Sequence, residues 1–380
     1  ARWFRISSDL GYAESQYALA ELYTYGLGVQ RDSLEAFRLY MQAAQQEHAA
    51  AQYEVGMCYV RGNGVNENAE QAAHWLRQSA LQGYAEAQVN YGYCFYEAYG
   101  VKQNYAEAFK WFHYAALQQY AEGQYRVGLC YYLGEGVEQN LTAAAKWYLA
   151  AAEQGHTSAQ YNIGVCYEYG DGVEQDLSQA LSWYIKAKDD PLAQYKIATF
   201  YAYGKVVEQS DSLAFQWFHL AGDQGLDRVQ HYLGAYYYED IGVQQDYEQA
   251  MHWLTQAAAQ GNSDAMNDIG LCYLEGEGVE QNYQEAVSYF SRSAELKNMS
   301  GQYNMGYCHF FGYGTKQDYQ QAFQWFQLSA EQGYADAQYP LACLYRDKAE
   351  RNKRTGRAKQ YMQEADKWFR AAAERRGELQ

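Results

Sequence analysis

At 380 residues the chain is longer than one compact core usually supports, which makes two or three globular domains the default. Composition argues against that division: there are two prolines, Pro191 and Pro340, no Pro- or Ser-rich linker, and 42 tyrosines and 33 glycines spread evenly along the chain. The net charge of −17 is uneven, with residues 1–345 summing to −22 and Arg346–Arg376 to +6. So acidic a body repels phosphate backbones, which excludes nucleic acid as its ligand, and no apolar run approaches the roughly eighteen residues of a membrane span.

The first ten residues read as half a unit, because Trp3 lies eight residues before Gly11 just as Trp75 lies eight before Gly83. The chain thus begins, at Ala1-Arg2-Trp3-Phe4, inside a repeating pattern, and the missing leader carries no information about export. Gly11-Tyr12-Ala13-Glu14-Ser15-Gln16-Tyr17 recurs as Gly83-Tyr84-Ala85-Glu86-Ala87-Gln88-Val89 and as Gly333-Tyr334-Ala335-Asp336-Ala337-Gln338-Tyr339. Aligned on this element, units start at 11, 47, 83, 119, 155, 189, 225, 261, 297 and 333, spaced by 36 residues except for 34 into the unit at 189. A last interval of 44 residues runs from 333 to Gly377.

Each unit predicts two helices. In the first, small or apolar residues fall at helical spacing, as in Ala51, Val55, Cys58, Tyr59 and Ala159, Ile163, Cys166, Tyr167. It ends in a Gly-x-Gly turn (Gly62-Asn63-Gly64, Gly134-Glu135-Gly136, Gly170-Asp171-Gly172, Gly276-Glu277-Gly278), where glycine accepts the left-handed backbone that stops a helix. An Asn or Asp follows (Asp32, Asn104, Asn140, Asp176, Asp246, Asn282, Asp318) that suits an N-cap for the second helix. The second helix carries Ala-x-x-Trp-aromatic, as in Ala108, Trp111, Phe112 and Ala144, Trp147, Tyr148. Ala72, Ala108, Ala144 and the mid-helix glycines Gly56, Gly92, Gly128, Gly164, Gly234, Gly270 and Gly306 permit close helix crossings, each glycine at a cost of about 1 kcal/mol in propensity. One unit cannot bury its own apolar face, so the expected fold is all-α, a right-handed α/α superhelix of about ten 36-residue helix-turn-helix repeats. Three places depart from the pattern. The unit at 189 loses two residues and opens on Asp190-Pro191, the unit at 225 puts Asp240 for the first turn glycine, and residues 333–380 carry a basic insertion, Arg346 to Arg354, with a C-terminal capping helix.

The pattern these units share, Ala-x-Ala-Gln-Tyr-x-Leu-Gly-x-x-Tyr-x-x-Gly-x-Gly-Val-x-Gln-Asp-x-x-x-Ala-x-x-Trp-Tyr-x-x-Ala-Ala-x-Gln-Gly, resembles the Sel-one-like repeat family, relatives of the tetratricopeptide repeats. The resemblance covers essentially the whole chain. It implies that first helices line a concave face and second helices a convex one. It also implies scaffold and adaptor roles, among them periplasmic or secreted bacterial proteins, virulence effectors and immunity proteins.

No catalytic constellation stands out. Cys58, Cys94, Cys130, Cys166, Cys272 and Cys308 occupy one equivalent position, with Cys343 one residue off. Equivalent atoms of stacked helices lie roughly 8–10 Å apart, beyond the ~7 Å Cα limit of a disulfide, so these thiols read as small core hydrophobes. Seven unpaired cysteines lean toward a reducing compartment, yet burial would protect them elsewhere, and periplasm, secretion and cytoplasm all stay open. The histidines form no ligand cluster; His74, His252, His113 and His219 read as solvated positions of second helices. No zinc-protease, nucleophile-elbow or phosphate-loop motif is present, so no metal or cofactor is expected. Asn140-Leu141-Thr142 and Asn298-Met299-Ser300 fit the glycosylation pattern at near-chance frequency.

Variation without a core reason concentrates on the concave face, the outer side of each first helix opposite its core positions: Tyr93, Tyr96, Tyr132, Tyr169, Tyr203, Tyr238, Tyr307, Phe310 and Phe311, interleaved with Glu21, Glu97, Glu239 and Glu275. Tyrosine offers a rigid face and a hydroxyl at low entropic cost, which suits recognition of a protein or peptide, particularly a basic one. The alternative is that these rings only cover neighbouring units, as the consensus tyrosines Tyr17, Tyr53, Tyr125 and Tyr303 are expected to do. The function expected is a non-catalytic interaction scaffold that binds a partner protein or peptide in this tyrosine-rich acidic concave groove, in the setting of a bacterial virulence or immunity factor; the competing reading is a cell-wall or glycan-binding or -processing enzyme. The basic stretch from Arg346 to Lys359 reads as a solubilising cap or as a contact for an acidic partner or anionic lipid.

Overall fold

The structure, a computed structural model, describes residues 2–354 and 356–375, Arg375 by its backbone alone. Ala1, Arg376 and the closing Gly377 of the last interval lie outside the described residues. Among these residues every regular element is a helix. The helices are α1 (Arg2–Asp9), α2 (Ala13–Tyr25), α3 (Ser33–Ala44), α4 (Ala49–Arg61), α5 (Ala69–Leu81), α6 (Ala85–Tyr96), α7 (Tyr105–Leu117), α8 (Ala121–Leu133), α9 (Leu141–Glu153), α10 (Thr157–Tyr169) and α11 (Leu177–Lys186). They continue as α12 (Pro191–Tyr203), α13 (Asp211–Asp223), α14 (Asp227–Glu239), α15 (Tyr247–Ala259), α16 (Ser263–Glu275), α17 (Tyr283–Glu295), α18 (Met299–Phe311), α19 (Tyr319–Glu331), α20 (Ala335–Arg351) and α21 (Ala358–Arg375). Even-numbered helices from α2 are the first helices of units and odd-numbered ones the second. The fold is a helical solenoid in which consecutive helices pack on one another from α1 to α11 and again from α13 to α21.

Local chemistry places the boundaries. Asp32, Asn104, Asn140, Asp176, Asp246, Asn282 and Asp318 sit at N-caps and accept from amides of the first helical turn, and Asn68 and Ser210 do the same. Because Asn140 and Asn298 are both capping side chains, their amides are already engaged in the helix starts. The second turn glycine has a stricter duty. A Cβ on Gly64 would lie 2.0 Å from the Ser33 carbonyl oxygen, so the turn of one unit rests on the opening of the previous second helix. Two substitutions in these turns escape a reading of the glycines alone: Ala98 (φ 58°) stands at a first-glycine position and Val206 (φ 55°) at a second. A left-handed β-branched residue is costly, by about 1–2 kcal/mol.

The core lies between the two helices of each unit and the next. Ala72, Ala108 and Ala144 are fully buried. A Cβ on Gly56 would meet Leu76 at 2.8 Å, one on Gly128 would meet Tyr148 at 2.7 Å and one on Gly270 would meet Phe290 at 2.5 Å, so the glycines admit the large residue of the partner helix. An amide ladder runs alongside, each rung joining a buried glutamine to an exposed one. Gln52 of α4 donates to the Ala44 carbonyl of the preceding α3 (3.1 Å) and accepts from Gln82 at the end of α5 (2.8 Å). Gln88 with Gln118, Gln124 with Gln154, Gln230 with Gln260 and Gln302 with Gln332 repeat the rung at 2.7–2.9 Å. In the unit at 261 both partners are apolar, Met266 and Leu296.

Even composition predicts one uninterrupted array; the contacts instead form two compact bodies, residues 1–193 and 194–380. The division falls in the unit that lost two residues. Other second helices are followed by a left-handed residue, such as Gly83 (φ 90°) or Gln119 (φ 62°). After the short α11 the chain instead runs into Asp190, whose carboxylate caps α12 at 2.8 Å from the Leu192 amide. In the last unit the basic insertion lengthens α20 to 17 residues.

Candidate functional site

Counting each unit start as zero, the outer side of a first helix carries positions 7, 10, 13 and 14. In the first body Tyr96 and Tyr132, both at position 13, donate their phenols to the middle residue of the next unit's turn, Glu135 (2.6 Å) and Asp171 (3.4 Å). Tyr238 does the same to Glu277 in the second body. These hydroxyls tie unit to unit, and what they leave uncommitted is ring surface. Tyr96 and Tyr238 also pack edge-on against Tyr105 and Tyr247. Tyr93 is half-buried, donates to Glu122 at 3.1 Å and lies under the Arg126 guanidinium at 4.6 Å. Tyr307, Phe310 and Phe311 are brought together, Phe311 lying 4.6 Å from Tyr307 and 5.0 Å from Phe310 by ring centroids, with Tyr313 beside them. Tyr169, Tyr203 and Phe311 are the exposed members of the set, at 61%, 68% and 49%. All three occupy position 14, as do Tyr25, Arg61, Glu97, Leu133, Glu239 and Glu275.

Two polar hubs lie on this side. Glu122 accepts from Arg126 (2.7 Å), His156 (2.8 Å) and Tyr93, and the His156 ring stacks on Tyr125. Burial raises the Glu122 carboxyl, but the bonds from His156 and Arg126 outweigh it and hold it at about 2. His231 bonds Asp268 at 2.8 Å; burial lowers the imidazole, and Asp268 with Asp264 outweighs that and raises it. His48 and His156 are N-caps of α4 and α10, with Nδ1 accepting an amide at 3.1 Å, which leaves Nε2–H to reach Glu14 and Glu122 of the previous unit. A reading of histidines by second-helix position misses this pair; a His followed three residues later by alanine at a helix start is the available signal. The structure also corrects two second-helix histidines: His113 and His219 are half-buried, edge-on against Trp147 and Trp253 of the next unit.

Between adjacent first helices, clefts open at one register. The cleft of α2 and α4 holds about 310 Å³, that of α14 and α16 about 130 Å³, and that of α6 and α8 about 10 Å³. Each is bounded by position 13 of one unit and position 7 of the next: Thr24 and Glu54, Tyr238 and Asp268, Tyr96 and Arg126.

Reactive groups are scarce among the described residues. No group of three or more His, Cys, Asp or Glu is placed to hold a metal ion. Burial pushes the thiols of Cys58, Cys94, Cys130, Cys166, Cys272 and Cys308 up to about 12, so they stay protonated and inert at neutral pH. Among the described residues no helix is long and apolar enough to cross a membrane. In the basic stretch, Lys348 lies 3.0 Å over the Phe323 ring and Arg346 lies 5.6 Å over Phe369. Lys353, Arg354, Arg357 and Lys359 are exposed.

The sequence profile of the Sel1 repeat matches residues 13–48, 49–84, 85–120, 121–156, 157–190, 191–226, 228–262, 263–298 and 300–334. Among solved structures, the chain is similar to a protective antigen of uropathogenic Escherichia coli strains that displays an SLR fold, with TM-score 0.71 and 28% identity over 98% of this chain and 92% of that one. It is also similar to a Sel1 repeat protein from Oxalobacter formigenes, with TM-score 0.63 and 28% identity over 80% of this chain and 89% of that one. A stretch of 43 residues is 44% identical to the exopolysaccharide production negative regulator of Rhizobium meliloti (strain 1021), spanning 11% of this chain and 16% of that protein.

Proposed function

The chain belongs to the Sel1 repeat family, and we propose that it is a non-catalytic scaffold that holds a partner protein or peptide against the outer side of its first helices. The observation that carries this reading is the chemistry of position 14. Tyr169, Tyr203 and Phe311 stand exposed there, and Glu97, Glu239 and Glu275 share the register. Rigid aromatic faces set among carboxylates on a chain of net charge −17 suit a partner segment that is itself basic. Tyr93, Tyr96, Tyr132, Tyr238, Tyr307 and Phe310 would contribute ring surface at the margins. The exposed Lys353, Arg354, Arg357 and Lys359 would serve as a solubilising cap and as a weak contact for an acidic partner or anionic headgroups. The likeness to a bacterial protective antigen favours the setting of a virulence or immunity factor.

The test is affinity capture with the intact chain, followed by titration of the captured partner against single variants. Tyr169→Ala, Tyr203→Ala and Phe311→Ala should each weaken binding about tenfold or more with little change in melting temperature, as hot-spot rings do. Affinity undiminished in all three would overturn the reading.

A further inference from the structure

The three clefts share one design, and the sequence differences among them explain their volumes. Between α6 and α8, Tyr96 at position 13 fills the space, its phenol on Glu135 and its ring on Tyr105. Between α14 and α16, Tyr238, Glu277 and Tyr247 repeat that arrangement, and the smaller Ala235 in place of Tyr93 leaves about 130 Å³. Between α2 and α4 all three members are replaced: Thr24 stands for the phenol, Ser33 for the stacking ring and Asn63 for the turn carboxylate. The tie is gone, and about 310 Å³ lies open, at the lower edge of the roughly 300–1,000 Å³ typical of small-ligand sites.

The lining of this cleft is polar in an ordered way. Its floor is the buried Tyr40 hydroxyl, paired with Thr24 at 3.2 Å. Ala36, Met57 and the Tyr25 ring supply apolar wall. Glu54 occupies position 7, where Arg126 is paired with Glu122 (2.7 Å) and Asp268 with His231 (2.8 Å) in the equivalent clefts. Among the described residues Glu54 has neither a hydrogen bond nor an ion pair, although it is half-buried. Arg31 and Arg61, exposed at the mouth, also lack ion-pair partners among the described residues. A simple anion would meet Glu54, and a simple cation would meet two guanidiniums.

We infer that the cleft between α2 and α4 binds a basic α-amino acid bearing a free carboxylate, either free in solution or as the C-terminal residue of a peptide. Arg31 and Arg61 receive the carboxylate, for which guanidinium forks are suited. The cationic end of the side chain reaches Glu54, and its methylene stem lies along Met57 and Ala36. This site does not rest on the scaffold reading, since it lies in the first two units and uses none of Tyr169, Tyr203 and Phe311.

Calorimetric titration of the intact chain with lysine, Nα-acetyl-lysine, lysinamide, norleucine and a Gly-Gly-Lys peptide tests it. Lysine or its acetylated form should bind, with lysinamide and norleucine at least tenfold weaker. Equal binding of lysine, Nα-acetyl-lysine and the peptide identifies a peptide terminus, whereas binding of lysine alone identifies the free amino acid. Arg61→Gln, a surface change, should weaken binding at least tenfold, and Glu54→Gln should erase the preference for lysine over norleucine. Thr24→Tyr, which restores the filler of the equivalent cleft, should abolish binding while circular dichroism shows the chain still folded. The inference is overturned if no probe binds at millimolar concentration, or if Arg61→Gln and Thr24→Tyr both bind as the parent does. Ala variants at Tyr169, Tyr203 and Phe311 should leave these titrations unchanged.

Discussion

At the scale of single residues, the carboxylate of Glu122 accepts from three side chains of the first body, Tyr93, Arg126 and His156. Held at about 2, it is ionised across the neutral range while bonded to Arg126 and His156. A depressed folded-state value means that its contribution to stability is complete above the ordinary value of 4.5 and is lost as pH falls toward about 2. Glu122→Gln should therefore destabilise the protein by about 1–3 kcal/mol at pH 7 in urea unfolding, with the gap between variant and parent closing near pH 2.5. A gap of equal size at both pH values would show that charge is not what the hub contributes. The sequence reveals little of this hub, because His156 lies 34 residues beyond Glu122 and its role depends on being an N-cap. The ties of Tyr96, Tyr132 and Tyr238 were hidden for a similar reason. Each acceptor lies 39 residues on, in a turn read only for its glycines, although an acid between two glycines was visible each time.

At the scale of helices, the period of the pattern was enough to place nearly every element. A cap, a left-handed glycine and a small residue at each crossing are local requirements, and local requirements survive in a single sequence. What the period conceals is the amide ladder, since glutamine looks like a surface residue until its burial is known. Gln52 is 5% exposed and joins α3, α4 and α5. Gln52→Leu should cost about 1–3 kcal/mol by removing the donor to the Ala44 carbonyl and the acceptor of the Gln82 amide, and if the rung couples the two, Gln52→Leu with Gln82→Leu should cost less than the sum of the two single changes. Thermal melts of these variants decide this; a double variant as unstable as the sum of its singles would mean that the rungs do not couple. Val206 shows the opposite limit of legibility. Its left-handed backbone is set by the turn around it, and no propensity scale would place a valine there.

At the scale of the whole chain, charge was legible and the break between the two bodies was not. The loss of two residues near 189 is plain in the spacing, but its consequence for contacts depends on how α11 ends. A net charge of −17 makes the folded chain repel itself, and salt screens that repulsion over about 10 Å at 0.1 M. Raising sodium chloride from 10 to 300 mM should raise the melting temperature by a few degrees, measured by circular dichroism, and a fall would point to specific ion pairs as the larger contribution. The unit at 261 carries a history in its paired Met266 and Leu296. A duplicated rung that decays one amide at a time passes through a form in which the buried inner glutamine has lost its exposed outer partner. That form is tolerated in this chain, since Gln338 of the last unit keeps its place with Oε1 buried and unpartnered among the described residues, so a tandem gene built this way can shed the outer amide first and the inner one later.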